Sequence, residues 1–311
     1  MPTFPIVAIV ILNWNNADDT LACLESVSDL DYPNCYTLVV DNGSIDDSVE
    51  RIRLSYPTVE ILETGDNLGY AAGNNAGIRY VMQKGADYVF VLNNDTLLEP
   101  TMLQKLVRFA ETHPKAGVVG PTMYCIEPQD TLYAAGSFIN WRKGETWNRG
   151  IYQPAAQYKY LQQPEKVDFI TGCGVLARRE LLEAVGGLSP MYFLNYEDVE
   201  WCERARRHGY EVWYVPEVVM WHKDSASFKQ GSPAHNYYLT RNALLFFYQN
   251  APRRLRWFVV TRLIFNSLRT IVAWSFKSKY RNDFFWRKRR ANLFALRDFF
   301  FWGASLKWGR M

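Results

Sequence analysis

The chain has 311 residues, 48% hydrophobic and 22% charged, with a net charge of only +3. That is ordinary for a globular protein and long enough for one large domain or two smaller ones. The cysteines Cys23, Cys35, Cys125, Cys173 and Cys202 are odd in number, scattered and free of any C-x-x-C, which excludes a disulfide framework or a structural zinc site and fits a reducing cytosol.

The opening MPTFPIVAIVILNWNN has no basic leader and reads as a first strand rather than a signal peptide. ADDTLACLESVSDL follows at helical spacing, with Asp18 or Asp19 as its N-cap. YTLVVDNGS is a second strand ending in a turn, DDSVERIRLSY a short helix and VEILETG a third strand. YAAGNNAGIRYVMQKG reads as a helix despite its glycines, and YVFVLNND as a strand apolar on both faces, suited to the middle of a covered sheet. The next helix lies between Pro100 and Pro114. This alternation predicts a doubly wound, mostly parallel α/β sheet. Residues 117–170 read as irregular strands and loops; RRELLEAVGG is a helix stopped by Gly186 and Gly187; EVWYVPEVVMWH is a strand pair or one bent strand. From Pro233 onward the pattern is helical and aromatic.

Strand ends carry the chemistry. Asn13-Trp14-Asn15, Asp41-Asn42-Gly43-Ser44 and Asn93-Asn94-Asp95 end successive strands. One such end is an ordinary turn or cap. Several on parallel neighbours converge on one crevice, where such sheets bind ligands. There Asp can accept from a nucleobase or ribose, Trp14 can lie against a base, and an Asp can hold a divalent cation against a diphosphate. Gly69, Gly73 and Gly77 do not have the G-x-G-x-x-G spacing of a dinucleotide site.

VAIVILNWNN, VVDNGSIDDS, DNLGYAAGNNAGI, YVFVLNNDTLLEP, the long TGCGVLARRELLEAVGGLSPMYFLNYEDVEWCERARRHGY, WH with SAS after it, and YYLTRNALLF occur in this order over residues 5–247. Together they resemble an inverting family 2 glycosyltransferase of the GT-A fold, in the rhamnosyltransferase-like branch. The resemblance implies a GT-A-type doubly wound mixed sheet over residues 1–232, with a nucleotide-sugar half to about residue 120 and an acceptor half after it. A C-terminal aromatic and basic helical extension covers residues 233–311. It implies donor contacts from Leu12, Trp14, Asn15, Asp41, Asn67, Gly69, Asn75, Asn93, Asn94 and Arg241, the last with Asn242 beside it. It places a divalent cation, Mg²⁺ or Mn²⁺, at Asp95 with His222, although Asn93 stands where the family's first metal-side acid would be. Asp198 matches the general base, with Glu197 positioning it or the acceptor. Without the resemblance, that acidic pair reads as a helix cap, His222 as a packed histidine, and Arg241 as a buried anchor. The implied partners are a dTDP- or UDP-linked sugar and a glycan or lipid-linked acceptor. The alternative is a non-catalytic nucleotide-sugar or glycan-binding module on the same fold.

The charge is unevenly placed. Residues 253–311 hold 15 Lys and Arg against 2 acids, net +13, and the preceding 252 residues are net −10. Arg262, Asn266 and Arg269 interrupt residues 253–276 too often for a comfortable transmembrane helix. Trp257, Trp274, Trp286, Trp302 and Trp308, interleaved with FFWRKRR, match helices lying in a membrane interface. Single-stranded nucleic acid is the competing partner for that composition and is set aside; a homodimer through these helices is the structural alternative. With the resemblance, this points to a cytoplasmic enzyme, peripheral on the anionic inner face of the cytoplasmic membrane.

Overall fold

The computed structural model describes residues 4–158, 162–223 and 231–301. SAS at 225–227, Trp302 and Trp308 lie outside the described residues. The first half alternates as β1 (Val7–Asn13), α1 (Ala17–Ser28), β2 (Cys35–Asp41), α2 (Ser48–Ser55), β3 (Glu60–Glu63), α3 (Gly69–Gln83) and β4 (Tyr88–Asn93). There follow β5 (Thr96–Leu98), α4 (Met102–Thr112), β6 (Ala116–Cys125), β7 (Leu132–Ala134), β8 (Ser137–Asn140), β9 (Glu145–Asn148), β10 (Glu165–Lys166), β11 (Gly174–Arg178) and α5 (Arg179–Val185). The chain continues through α6 (Glu197–Arg207), β12 (Glu211–His222), α7 (Pro233–Asn250), α8 (Arg256–Phe276) and α9 (Asp283–Phe300).

The main sheet runs β10-β12-β6-β11-β4-β1-β2-β3. β3, β2, β1 and β4 are parallel. β11 enters antiparallel between β4 and β6, so the sheet is mixed rather than mostly parallel. Register aligns the strand ends: Leu12 lies beside Asn93, and Asn13 beside Asp41. β1 and β4 are buried along their apolar runs, as central strands covered on both faces must be. α3 approaches β1 closely because it carries glycines: a Cβ on Gly73 would stand 2.7 Å from Leu12, and one on Gly77 2.5 Å from Val10. Their four-residue spacing therefore serves helix–sheet packing.

Three local expectations change. Asn16, not Asp18 or Asp19, caps α1, accepting from the Asp19 N–H at 3.4 Å. Part of the segment read as irregular is β6, a long buried strand paired along much of its length with β12. EVWYVPEVVMWH is that single strand β12, its register broken between Val215 and Val219, around Pro216. The helices after residue 232 share the core: Phe246 and Phe247 of α7 and Val259 and Val260 of α8 are buried in the same cluster as the sheet. α9 packs on α7, where the Tyr237 hydroxyl donates to Asp298 Oδ2 at 2.6 Å. Among the described residues no helix is long and apolar enough to cross a membrane.

Candidate active site

A cavity of about 540 Å³ opens at the strand ends. Leu12, Trp14, Asn67, Gly69, Asn93, Asn94, Asp95, Glu197, Asp198 and His222 all line it. Asn15, Asp41, Asn75 and Arg241 do not, although each was an expected donor contact.

The first wall is built by strand ends that satisfy one another. Asp41 accepts from Asn13 Nδ2 at 2.8 Å and from the Ser44 hydroxyl and N–H at 2.6 and 2.9 Å, which ties β1 to the turn after β2. Asn15, at φ +50°, accepts from the Ile45 N–H on its side-chain oxygen and donates its own N–H to Ser44 Oγ. Asn94 donates to Thr20 Oγ1 at 2.9 Å. Asn75 brackets Leu188, donating to its carbonyl at 2.6 Å and accepting from its N–H at 2.8 Å, so it fastens α3 to the segment before the second wall.

β5 folds back antiparallel on β12 and sets Thr96 opposite His222. That pairing brings His222 Nε2 to 3.3 Å from Asp95 Oδ1, with both residues buried. Burial works against a charged imidazole, but the Cys173 sulfur and the Asp95 carboxylate outweigh it and hold His222 well above its ordinary pKa. The Tyr133 ring covers His222 at 4.5 Å. Asn93 Oδ1, on the same wall, has no hydrogen-bond partner among the described residues.

These groups fit a divalent cation that would displace the proton from His222, since an imidazole ligates only when neutral. Among the described residues no three His, Cys, Asp or Glu side chains gather as a metal cluster. The chain therefore offers one carboxylate and one imidazole, with the Asn93 amide oxygen near them on the wall, and further oxygens must come from phosphate or water. A nitrogen ligand favours a transition-metal ion over Mg²⁺, which prefers oxygen throughout.

The second wall is backbone held under strain. Phe193, Asn195 and Tyr196 all have positive φ, at 56°, 65° and 72°. Non-glycine residues in this region cost on the order of 1–3 kcal/mol each and persist only where their surroundings fix them. Here Asn242 of α7 donates to the carbonyls of Tyr192, Leu194 and Asn195 at 2.6, 2.8 and 2.9 Å. Arg241 donates to the Met191 carbonyl at 2.9 Å and to Asn242 Oδ1 at 2.8 Å. Arg241 is thus the buried anchor of this turn and is absent from the cavity wall that a donor diphosphate would meet.

The turn aims the start of α6 into the cavity. Asp198 accepts from the Gly172 N–H at 2.9 Å and from the Val199 N–H at 2.8 Å. Burial raises its pKa against those hydrogen bonds. Glu197 is pushed well above the carboxylate range by burial and by the neighbouring Asp198 charge. Its Oε2 has no hydrogen-bond partner among the described residues. Glu197 is thus held towards its protonated form beside an Asp198 whose carboxylate is fixed by two backbone N–H groups.

Sequence patterns did not single out Tyr70, whose hydroxyl donates to the Gly172 carbonyl at 2.7 Å, nor Tyr133, Trp147, Phe193, His235 or Leu239 on the wall. Tyr70 lay inside the quoted DNLGYAAGNNAGI stretch; Tyr133 and Trp147, from strands β7 and β9, carried no local signal.

A mixed sheet with its ligand crevice at the parallel strand ends, faced by an acidic helix start, is the architecture of GT-A glycosyltransferases. Residues 4–234 match the model of the glycosyltransferase-like family 2, and the chain belongs to that family. It is a glycosyltransferase. It is 27% identical over 248 residues to the N-acetylglucosaminyl-diphospho-decaprenol L-rhamnosyltransferase of Mycobacterium tuberculosis, covering 74% of this chain and 79% of that one. It is 28% identical over 252 residues to a dTDP-rhamnosyl transferase of Shigella flexneri, covering 78% and 79%. In fold it is similar to a mannosyltransferase of Pyrobaculum calidifontis in complex with GDP-mannose and Mn²⁺, with TM-score 0.59, 17% identity and coverage of 98% and 89%. It is also similar to GalNAc-T7 with UDP, GalNAc and Mn²⁺, with TM-score 0.62, 15% identity and coverage of 97% and 57%.

Proposed function

We propose that this chain is an inverting rhamnosyltransferase, moving the sugar of a dTDP- or UDP-linked donor to a hydroxyl of a growing cell-surface glycan or lipid-linked acceptor. The observation that carries the reading is that one cavity is lined by both the Asp95–His222 pair and the adjacent carboxyls Glu197 and Asp198. The likeness to rhamnosyltransferases supports the choice of sugar.

An acceptor hydroxyl is a poor nucleophile near neutral pH, so a carboxylate within hydrogen-bond reach must take its proton as it attacks C1. Asp198 has that role. The Gly172 and Val199 N–H groups fix its orientation, and its raised pKa makes it a stronger base than an ordinary aspartate. Glu197, held towards its protonated form, orients the acceptor or Asp198 without adding a second negative charge. Asp95 and His222, with Asn93 on the same wall, would hold a divalent cation, which would supply charge neutralisation for the departing diphosphate. Trp14 lies against the base, and Asn67 with the start of α3 lies beside the diphosphate or sugar. Asp41 acts one step back, by fixing the strand ends on which Trp14 stands.

Purified protein given a panel of nucleotide-sugars, with Mn²⁺, Mg²⁺ or chelator, tests the reading. We expect donor-dependent thermal stabilisation by a dTDP- or UDP-sugar, enhanced by the ion, and transfer of rhamnose above other sugars. Turnover unaffected by chelator contradicts the cation, and preference for another sugar contradicts the donor.

A further inference from the structure

We infer that the outward face of α8 is a docking surface for an anionic lipid bilayer, on which the helix lies flat. One side of α8 is spent on the core through Val259, Val260, Ser267 and Ile271. A helix on a protein surface ordinarily turns polar residues to water on the other side. α8 instead exposes Trp257, Phe258, Phe265, Leu268, Val272 and Phe276, by 45–74% of their surface. At 3.6 residues per turn these fall within about 100° of arc and run about 28 Å, almost the whole helix. Exposed Arg262 and Arg269 follow one edge of the stripe.

Charge selects the occupant. α8 contains no acidic residue, and the link to α9 adds Lys277, Lys279 and Arg281. The only acids beyond residue 252 are already paired, Asp283 with Arg287 at 2.8 Å and Asp298 with Arg297 at 2.7 Å. A second copy laid on this face would bring arginines against arginines with no carboxylate to answer them. An anionic leaflet offers both an apolar depth for the aromatic stripe and negative headgroups for its basic edge. α8 packs on α7, and α7 contributes His235 and Leu239 to the cavity, so docking would hold the site near lipid-linked material. The inference does not depend on which sugar is transferred.

The test is co-sedimentation of the full chain with phosphatidylglycerol-containing and pure phosphatidylcholine vesicles at low and high salt. Binding should strongly favour the anionic vesicles, and raised salt should weaken it without abolishing it. Arg262→Gln with Arg269→Gln should lower anionic binding roughly thirtyfold, since each cation near the leaflet contributes about fivefold. Phe265→Ser with Val272→Ser should clearly lower the salt-resistant part. Donor-dependent thermal stabilisation should persist in both pairs, which separates lost docking from lost folding and from failure of the rhamnosyl reading. Absence of wild-type binding, or unchanged binding in both pairs, overturns the inference. A solution dimer that the serine pair dissolves, without vesicle binding, assigns the face to a second copy and overturns it as well.

Discussion

The two walls of the cavity are built on opposite principles. The strand-end wall is largely self-satisfied: Asp41, Asn13, Ser44, Asn94 and Thr20 hydrogen-bond to one another, and Asn93 Oδ1 is the exception among the described residues. The α6 wall stores cost, with three positive-φ residues before a buried Glu197, whose Oε2 lacks a hydrogen-bond partner among the described residues, and a half-buried Asp198. Most polar groups of the first wall are already placed by one another. The second is where protein stability is given up for a reactive group, and substitutions there should separate activity from stability most sharply.

The largest effect should come from Asp198→Asn, which keeps the volume and loses the proton acceptor. Turnover should fall at least about a hundredfold while donor affinity changes little. Near-normal turnover removes Asp198 from the role. Next is Asn242→Ala, which strips the turn of its clamp and leaves the buried carbonyls of Tyr192, Leu194 and Asn195 without this donor. A loss of about 2–4 kcal/mol in denaturant unfolding is expected, with a larger fall in kcat than in donor affinity. An equal fall in both would mean that the clamp does not serve the second wall alone.

On the first wall, Asp95→Ala and His222→Ala should each weaken ion-enhanced nucleoside-diphosphate binding by at least about tenfold, and Asn93→Asp should tighten it. Calorimetry with and without Mn²⁺ reads this directly, and ion enhancement surviving in the Asp95 variant refutes the assignment.

The smallest effect is a pH-dependent gain. The folded pKa of Glu197 lies above its unfolded value of about 4.5. Its contribution to stability is therefore full in acid and is lost as pH rises towards and through the folded pKa. Glu197→Gln should match wild type near pH 4 and be more stable than wild type at neutral pH. A melting-temperature difference that does not change with pH contradicts the buried, strained carboxyl.

The same contrast explains what could be read from sequence. The first wall was legible because each of its strands is a local apolar run with polar residues at a fixed end, and parallel topology brings those ends together. Even there, nothing local said that Ser44 and Asn13 would hydrogen-bond to the Asp41 carboxylate. The second wall depends on contacts such as Asn242 with Leu194, separated by 48 residues, and Asn75 with Leu188, separated by 113. Such pairs leave no periodic trace, so Asn75 and Arg241 invited a donor role that the structure does not give them. The antiparallel entry of β11 was equally silent in its sequence, since a short apolar strand reads alike in both directions.

The most direct measurement is the anomeric configuration of the product, read by NMR from the one-bond carbon–proton coupling at C1 of the transferred sugar. The proposed placement of one base on one wall and the leaving diphosphate on the other requires a single displacement, so the new glycosidic bond should have the configuration opposite to that of the donor. A product that retains the donor's configuration would contradict the assignment of Asp198 as the base and the account of the two walls with it.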